Sequence, residues 1–399
     1  MTSLRRLLAL AMCGFCLWAG GCGGASSGKS GGIATSGKNV VPISVNGGPE
    51  GNYANGVFAS VTLCVPGSSN CQTITNVLVD TGSSGLRIVS SALTISLPQQ
   101  NGATGHPVVE CLPFLSAVTW GPVQTADIQM GGEKASSVSI QVLSDTAFPI
   151  ASGCKNMGLP SQDTVQALGA NGILGIGLFA QDCGPACTQT GSSNPGLYYE
   201  CPSSGCQVTA ESLSLQVPNP VAMFAADNNG VIIELPAVSG PQPSASGSLV
   251  FGIGTHSNNG LGGATVYTVD ASGDLTTTYK GKSYPNSFVD SGSNGYFFLT
   301  SSATGIPSCS RASGFYCPSS TQSLSATNQG SNGASGTVSF SLANAESLFA
   351  NQADFVFNNL GGPGHDSFDW GLPFFFGRNV FTAIEGRSTP AGTGPYWAY

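Results

Sequence analysis

Charge is scarce: Asp, Glu, Lys and Arg together make up 8% of the 399 residues. Long surface helices need Glu and Lys to coat their solvent face, so this scarcity argues against a helical protein. The 56 glycines and abundant serine favour turns and short strands, and an all-β class follows. Basic residues are fewer still, 12 against 20 acidic, for a net charge of −8 and no Lys/Arg run beyond the first residues, which excludes nucleic acid as a partner. Only three histidines occur, His106, His256 and His365, widely separated, and no G-x-S-x-G is present. A His-based metal site and a Ser-His-Asp triad are therefore unsupported. The length allows one large or two ordinary domains.

What is present begins with an export signal over 1–21. Arg5 and Arg6 precede an apolar run from Leu7 to about Trp18 that is too short to span a bilayer. The stretch "AGGC" at 19–22 resembles a bacterial lipobox with Ala19 in place of the usual Leu, and marks Cys22 for lipidation. Gly23 after it favours, by resemblance to sorted lipoproteins, the outer membrane. The expectation is a bacterial cell-envelope protein that meets the membrane through an N-terminal lipid anchor, with plain secretion as the alternative. Residues 22–40 read as a Gly/Ser-rich tether. Within it Gly23, Gly28, Lys29 and Ser30 match a phosphate-binding loop, but that loop requires a preceding strand and a following helix.

Of the 13 cysteines, Cys13 and Cys16 leave with the signal and Cys22 is the lipidation candidate. The even remainder in an exported chain reads as disulfides. Close spacing suggests Cys64 with Cys71, Cys183 with Cys187, Cys201 with Cys206 and Cys309 with Cys317, which leaves Cys111 for Cys154; spacing does not prove the pairing. The rival is zinc on the four thiols of "CGPAC" and "CPSSGC", but structural zinc wants two residues between paired cysteines, and these gaps are wider. No metal and no cofactor is expected.

The stretch "NVLVDTGSSGLRIV" at 76–89 runs apolar and then stops at Asp80, Thr81, Gly82 and Ser83. By itself it is a turn after a strand. It recurs as "SFVDSGSNGYFFLT" at 287–300, with Asp290, Ser291, Gly292 and Ser293. Downstream of each copy lies an apolar run closed by glycine, "NGILGIG" at 171–177 and "LPFFFGRNVF" at 372–381. Aspartate to glycine spans 175 − 80 = 95 residues in one half and 377 − 290 = 87 in the other, the mark of an internal duplication.

With these elements in place the chain resembles the pepsin-like aspartic peptidases from about Val41 to Glu385. Each lobe of that family supplies an Asp-Thr/Ser-Gly loop with an apolar-apolar-Gly strand behind it. "GSLVFGIGT" at 247–255 and "NPVAMFAADNNGVI" at 219–232 resemble further family segments near the lobe junction. The resemblance implies a bilobal all-β fold with the cleft between related lobes: an N-terminal lobe over 41–256, carrying a Cys-rich insertion at 181–206, and a C-terminal lobe over 257–399. It also implies that Asp80 and Asp290 form a catalytic pair. Two carboxyls about 3 Å apart cannot both ionise and hold one proton between them, which suits them to activate water and protonate a carbonyl. Gly82 and Gly292 then keep the two loops close. Thr81 and Ser291 would bond across to the opposite loop, and Ser83 and Ser293 would touch the outer carboxylate oxygens.

The resemblance further implies a hairpin flap, placed at 118–143 with Gly131-Gly132 as its turn, in which Trp120-Gly121 stands where the family has Tyr-Gly. Arg87 stands where Trp is common, either as a salt-bridged surface residue or in a site role, and no basic pro-segment separates Cys22 from the first strand. The expected activity is that of a monomeric endopeptidase acting on peptide or unfolded protein. A catalytically silent peptide-binding lipoprotein and a cell-surface adhesive module are the alternatives.

Overall fold

A computed structural model describes residues 32–399. The export signal, Cys22 and the Gly23–Ser30 motif lie outside the described residues. Runs rich in Val, Ile and Thr form the strands of the first lobe, as β-branched side chains pack well on a pleated surface. These are β1 (Val40–Asn46), β2 (Gly56–Cys64), β3 (Cys71–Asp80), β4 (Ser84–Val89), β5 (Val108–Pro113), β6 (Val118–Met130), β7 (Glu133–Leu143), β8 (Gly172–Ile176) and β9 (Tyr198–Glu200). The α-helices among the described residues are single four-residue turns. The all-β bilobal expectation is met.

β3 pairs in parallel with β8, placing Asp80 opposite Gly175, while β4 returns antiparallel along the other edge of β8, with Gly85 also opposite Gly175. The chain therefore turns sharply between β3 and β4, and that turn carries Thr81, Gly82 and Ser83. The second lobe repeats the plan. The strand Lys282–Val289 pairs in parallel with Phe368–Trp370, and Tyr296–Phe298 returns antiparallel on its far side. A Cβ on Gly371 would lie 2.1 Å from the Gly295 carbonyl oxygen, so the backbone approach demands glycine there.

This corrects the second apolar-Gly element. The glycine matching Gly175 is Gly371, at 371 − 290 = 81 residues, in "FDWG". The "LPFFFG" run instead supplies a short 3-10 turn (Leu372–Phe374), and Gly377 sits at positive φ beside Ala237.

Between the lobes, β1 pairs with Ala245–Phe251, which pairs with Gly230–Glu234, then Asn379–Ala383 and Tyr396–Ala398. The resulting ladder is one 15-stranded sheet beside the 7-stranded sheet of the second lobe. The last part of the expected tether packs against this platform. The Ala34 amide donates to Glu234, the Ser248 hydroxyl donates to the Ala34 carbonyl, and Asn39 is buried. The five disulfides are those that spacing suggested, so the thiols of 183–206 are consumed in pairs. No described helix is long and apolar enough to cross a membrane.

Candidate active site

The two turns meet across the lobe boundary, held by reciprocal bonds. The Thr81 amide donates to Ser291 Oγ (3.1 Å) and the Ser291 amide donates to Thr81 Oγ1 (2.9 Å). Each hydroxyl then donates onward to the opposite lobe, Ser291 to the Val79 carbonyl (2.7 Å) and Thr81 to the Val289 carbonyl (3.4 Å). The grip brings the carboxyls of Asp80 and Asp290 side by side: a Cβ built on Gly292 would lie 2.6 Å from Asp80 Oδ1 and 3.1 Å from Asp290 Oδ1. Both are buried, at 6% and 8% exposure. Gly82 and Gly292 donate their amides to the Oδ1 atoms of Asp80 (2.8 Å) and Asp290 (2.7 Å). Ser83 and Ser293 donate to the Oδ2 atoms. The geometry thus brings all eight motif residues together.

Burial, followed by the neighbouring Asp290 charge, pushes Asp80 well above the ordinary carboxylate range; Ser83 and Gly82 oppose this in part. The carboxyls lie on the floor of a cleft of about 1500 Å³, larger than a pocket for one small molecule and open enough for an extended chain. Its walls include Leu115, Phe297 and Phe349, and among the described residues no Lys, Arg or His lines it.

The flap assignment is corrected. The 118–143 hairpin turns at Gly131-Gly132 against Lys38, away from the cleft, and the hairpin over the carboxyls is β5–β6, with Phe114, Leu115 and Ser116 at its tip. Trp120 points away from the cleft. It is buried beside Tyr199 and the Cys111–Cys154 bridge, and its Nε1 donates to the Phe148 carbonyl (2.8 Å). Gly121 lies so close to β7 that a Cβ would meet the Val142 carbonyl oxygen at 1.9 Å.

Arg87 is not at the surface. Fully buried, it donates to Glu110 on β5 (2.9 Å) and to Asp182 of the Cys-rich segment 181–206 (3.0 Å), and Tyr198 donates to Asp182 (2.8 Å). Burial, and then Glu110, push Asp182 well above the carboxylate range against the pull of Arg87. This Cys-rich segment adds β9 to the outer edge of β5, so it braces the hairpin.

Two residues near the pair escape the motif search. Tyr53, from the turn before β2, lines the cleft, and burial together with the charges of Asp290 and Asp80 raises its phenol well above the ordinary value. Asp369, on Phe368–Trp370, lies 2.6 Å from Ser293 Oγ.

A protein family described as "Protein of unknown function (DUF3443)" matches residues 35–399. The chain belongs to the DUF3443 family. No curated protein matches it. Among solved structures, this DUF3443 chain is similar to an aspartic proteinase from Irpex lacteus, with a TM-score of 0.53 and 15% identity, over 90% of this chain and 96% of that one. At that identity the likeness establishes a pepsin-like fold.

Proposed function

We propose that the protein is an aspartic-type endopeptidase. The observation that carries this reading is the close approach of the Asp80 and Asp290 carboxyls, each held by a glycine amide and a serine hydroxyl, in a cleft of about 1500 Å³. On this reading the pair shares one proton, with Asp80 acting as the acid and Asp290 as the base. A water between them loses a proton to Asp290, and its oxygen adds to the peptide carbonyl carbon while Asp80 protonates the carbonyl oxygen. Collapse of the tetrahedral diol expels the amine, protonated on nitrogen. The substrate is an extended peptide or an unfolded protein segment in the cell envelope, reached by a monomer tethered through lipidated Cys22.

The test is cleavage of an unstructured protein across pH 3–7, with and without a transition-state inhibitor of aspartic peptidases. Asp80→Asn and Asp290→Asn should each lower the rate by about 10²–10⁴-fold. Activity surviving either substitution overturns the mechanism. Peptide binding without cleavage in the unsubstituted protein would establish the silent scaffold instead.

A further inference from the structure

Ser293 Oγ lies between two carboxyls, 2.8 Å from Asp290 Oδ2 and 2.6 Å from Asp369 Oδ2. Both separations are hydrogen bonds, yet a hydroxyl owns one hydrogen and an ionised carboxylate owns none. Two bonds among these three oxygens need two hydrogens, so one carboxyl supplies the second. If Asp290 supplied it, the negative charge would rest on Asp369, whose Oδ1 is buried without a partner. That placement is the costly one, because an unpaired buried charge loses its hydration.

The surroundings of Asp369 agree. In register it is flanked by Phe288 on one side and Phe297 on the other. The titratable groups near it are Asp290 and, beyond it, Asp80; burial first, and then the Asp290 charge, raise its carboxyl well above the ordinary range. Among the described residues no cationic side chain lines the cleft above. The first lobe lacks this arrangement: Ile173 pairs with Leu78 as Asp369 pairs with Phe288, so an apolar side chain holds the corresponding place.

We infer that Asp369 is a protonated carboxylic acid serving as a positioning residue: it donates to Ser293, which donates to the outer oxygen of Asp290. The inference rests on the reading of Asp80 and Asp290 as the working pair. The chain runs one way, fixes the Ser293 rotamer and stabilises the anionic form of Asp290. It makes the two halves of a nearly symmetric site unequal.

Two measurements test this. An infrared difference spectrum of the unsubstituted protein minus Asp369→Asn, at pH 7, should contain the carbonyl band of a protonated carboxyl. A carboxylate band in its place overturns the inference. This reading does not depend on turnover, so it decides the proton even if no peptide is cut and the endopeptidase reading falls. In cleavage assays, Asp369→Asn, whose amide also donates to Ser293, should keep kcat within a few-fold at acid pH. Asp369→Leu, which cannot donate, should lose about 10–100-fold in kcat with KM nearly unchanged. Equal losses in both variants would overturn the donor role, since a filler of space would be rescued by neither or by both.

Discussion

At the scale of single residues the site depends on missing atoms. A Cβ on Gly82 would lie 2.6 Å from Asp290 Cγ, and one on Gly292 would lie 2.6 Å from Asp80 Oδ1. Gly292→Ala should therefore force the carboxyls apart: isothermal titration should find transition-state inhibitor binding weakened by at least tenfold while the circular dichroism spectrum stays that of the parent. Ser291→Ala removes the acceptor of the Thr81 amide and the donor to Val79, both buried. It should cost about 1–3 kcal/mol in urea denaturation, because orphaned buried polar groups carry their full desolvation penalty. The eight motif residues were legible because D-[TS]-G-S is contiguous and occurs twice. Asp369 and Tyr53 were not, since sheet pairing and a loop bring them to the pair from elsewhere in the chain. Asp369 even concealed its own neighbourhood: a charged residue in "FDWG" breaks the apolar pair by which Gly371 would have been found, and the more apolar "LPFFFG" drew the assignment.

At the scale of elements, the hairpin over the cleft is fixed at its base and free at its tip. β5 lies between β6 and β9, the Cys111 amide donates to the Leu197 carbonyl, and Arg87 ties the hairpin to the Cys-rich segment through Glu110 and Asp182. Leu115 at the tip is 77% exposed. Hydrogen exchange should find the amides of 109–111 protected like core strands and that of Leu115 exchanging far faster; uniform exchange along β5 would contradict the bracing. Arg87→Met leaves Glu110 and Asp182 facing each other without a cation and should destabilise the fold by about 3–5 kcal/mol, read from denaturant midpoints. The turn chemistry explains why the flap was misplaced. Gly131-Gly132 advertises a turn, whereas the real tip, Phe114 to Ala117, contains no Gly, Asn or Asp. Trp120 followed that error; its packing against Tyr199 and its bond to Phe148 are those of a core side chain. Arg87 was unreadable for a related reason: the partners that permit its burial, Glu110 and Asp182, lie far along the chain.

At the scale of the whole molecule, buried acids set the pH response. Burial pushes Glu211 up to about 7 and Asp274 to about 6, the latter helped by Asp270, and Asp80, Asp182 and Asp369 are raised as well. A carboxyl whose folded-state pKa is raised contributes stability that is complete below its unfolded value, near 4, and lost as pH rises through the folded value. Thermal melts should therefore show Tm falling from about pH 4 to about pH 7, and Glu211→Gln should reduce that slope. A Tm that rises with pH over the same range would contradict the assignment.

The platform beneath the lobes has a consequence for the order in which the molecule can be made. β1 is among the first described segments, but its ladder is completed by Ala245–Phe251, Asn379–Ala383 and Tyr396–Ala398, the last of these at the far end of the chain. Closing such distant pairings is slow, and it needs both halves of the chain. A nascent chain holding Asp80, its turn and its hairpin would still have an open sheet edge and half a site. On this architecture Asp80 and Asp290 come together only once both halves of the platform have paired, so the site is assembled late in folding.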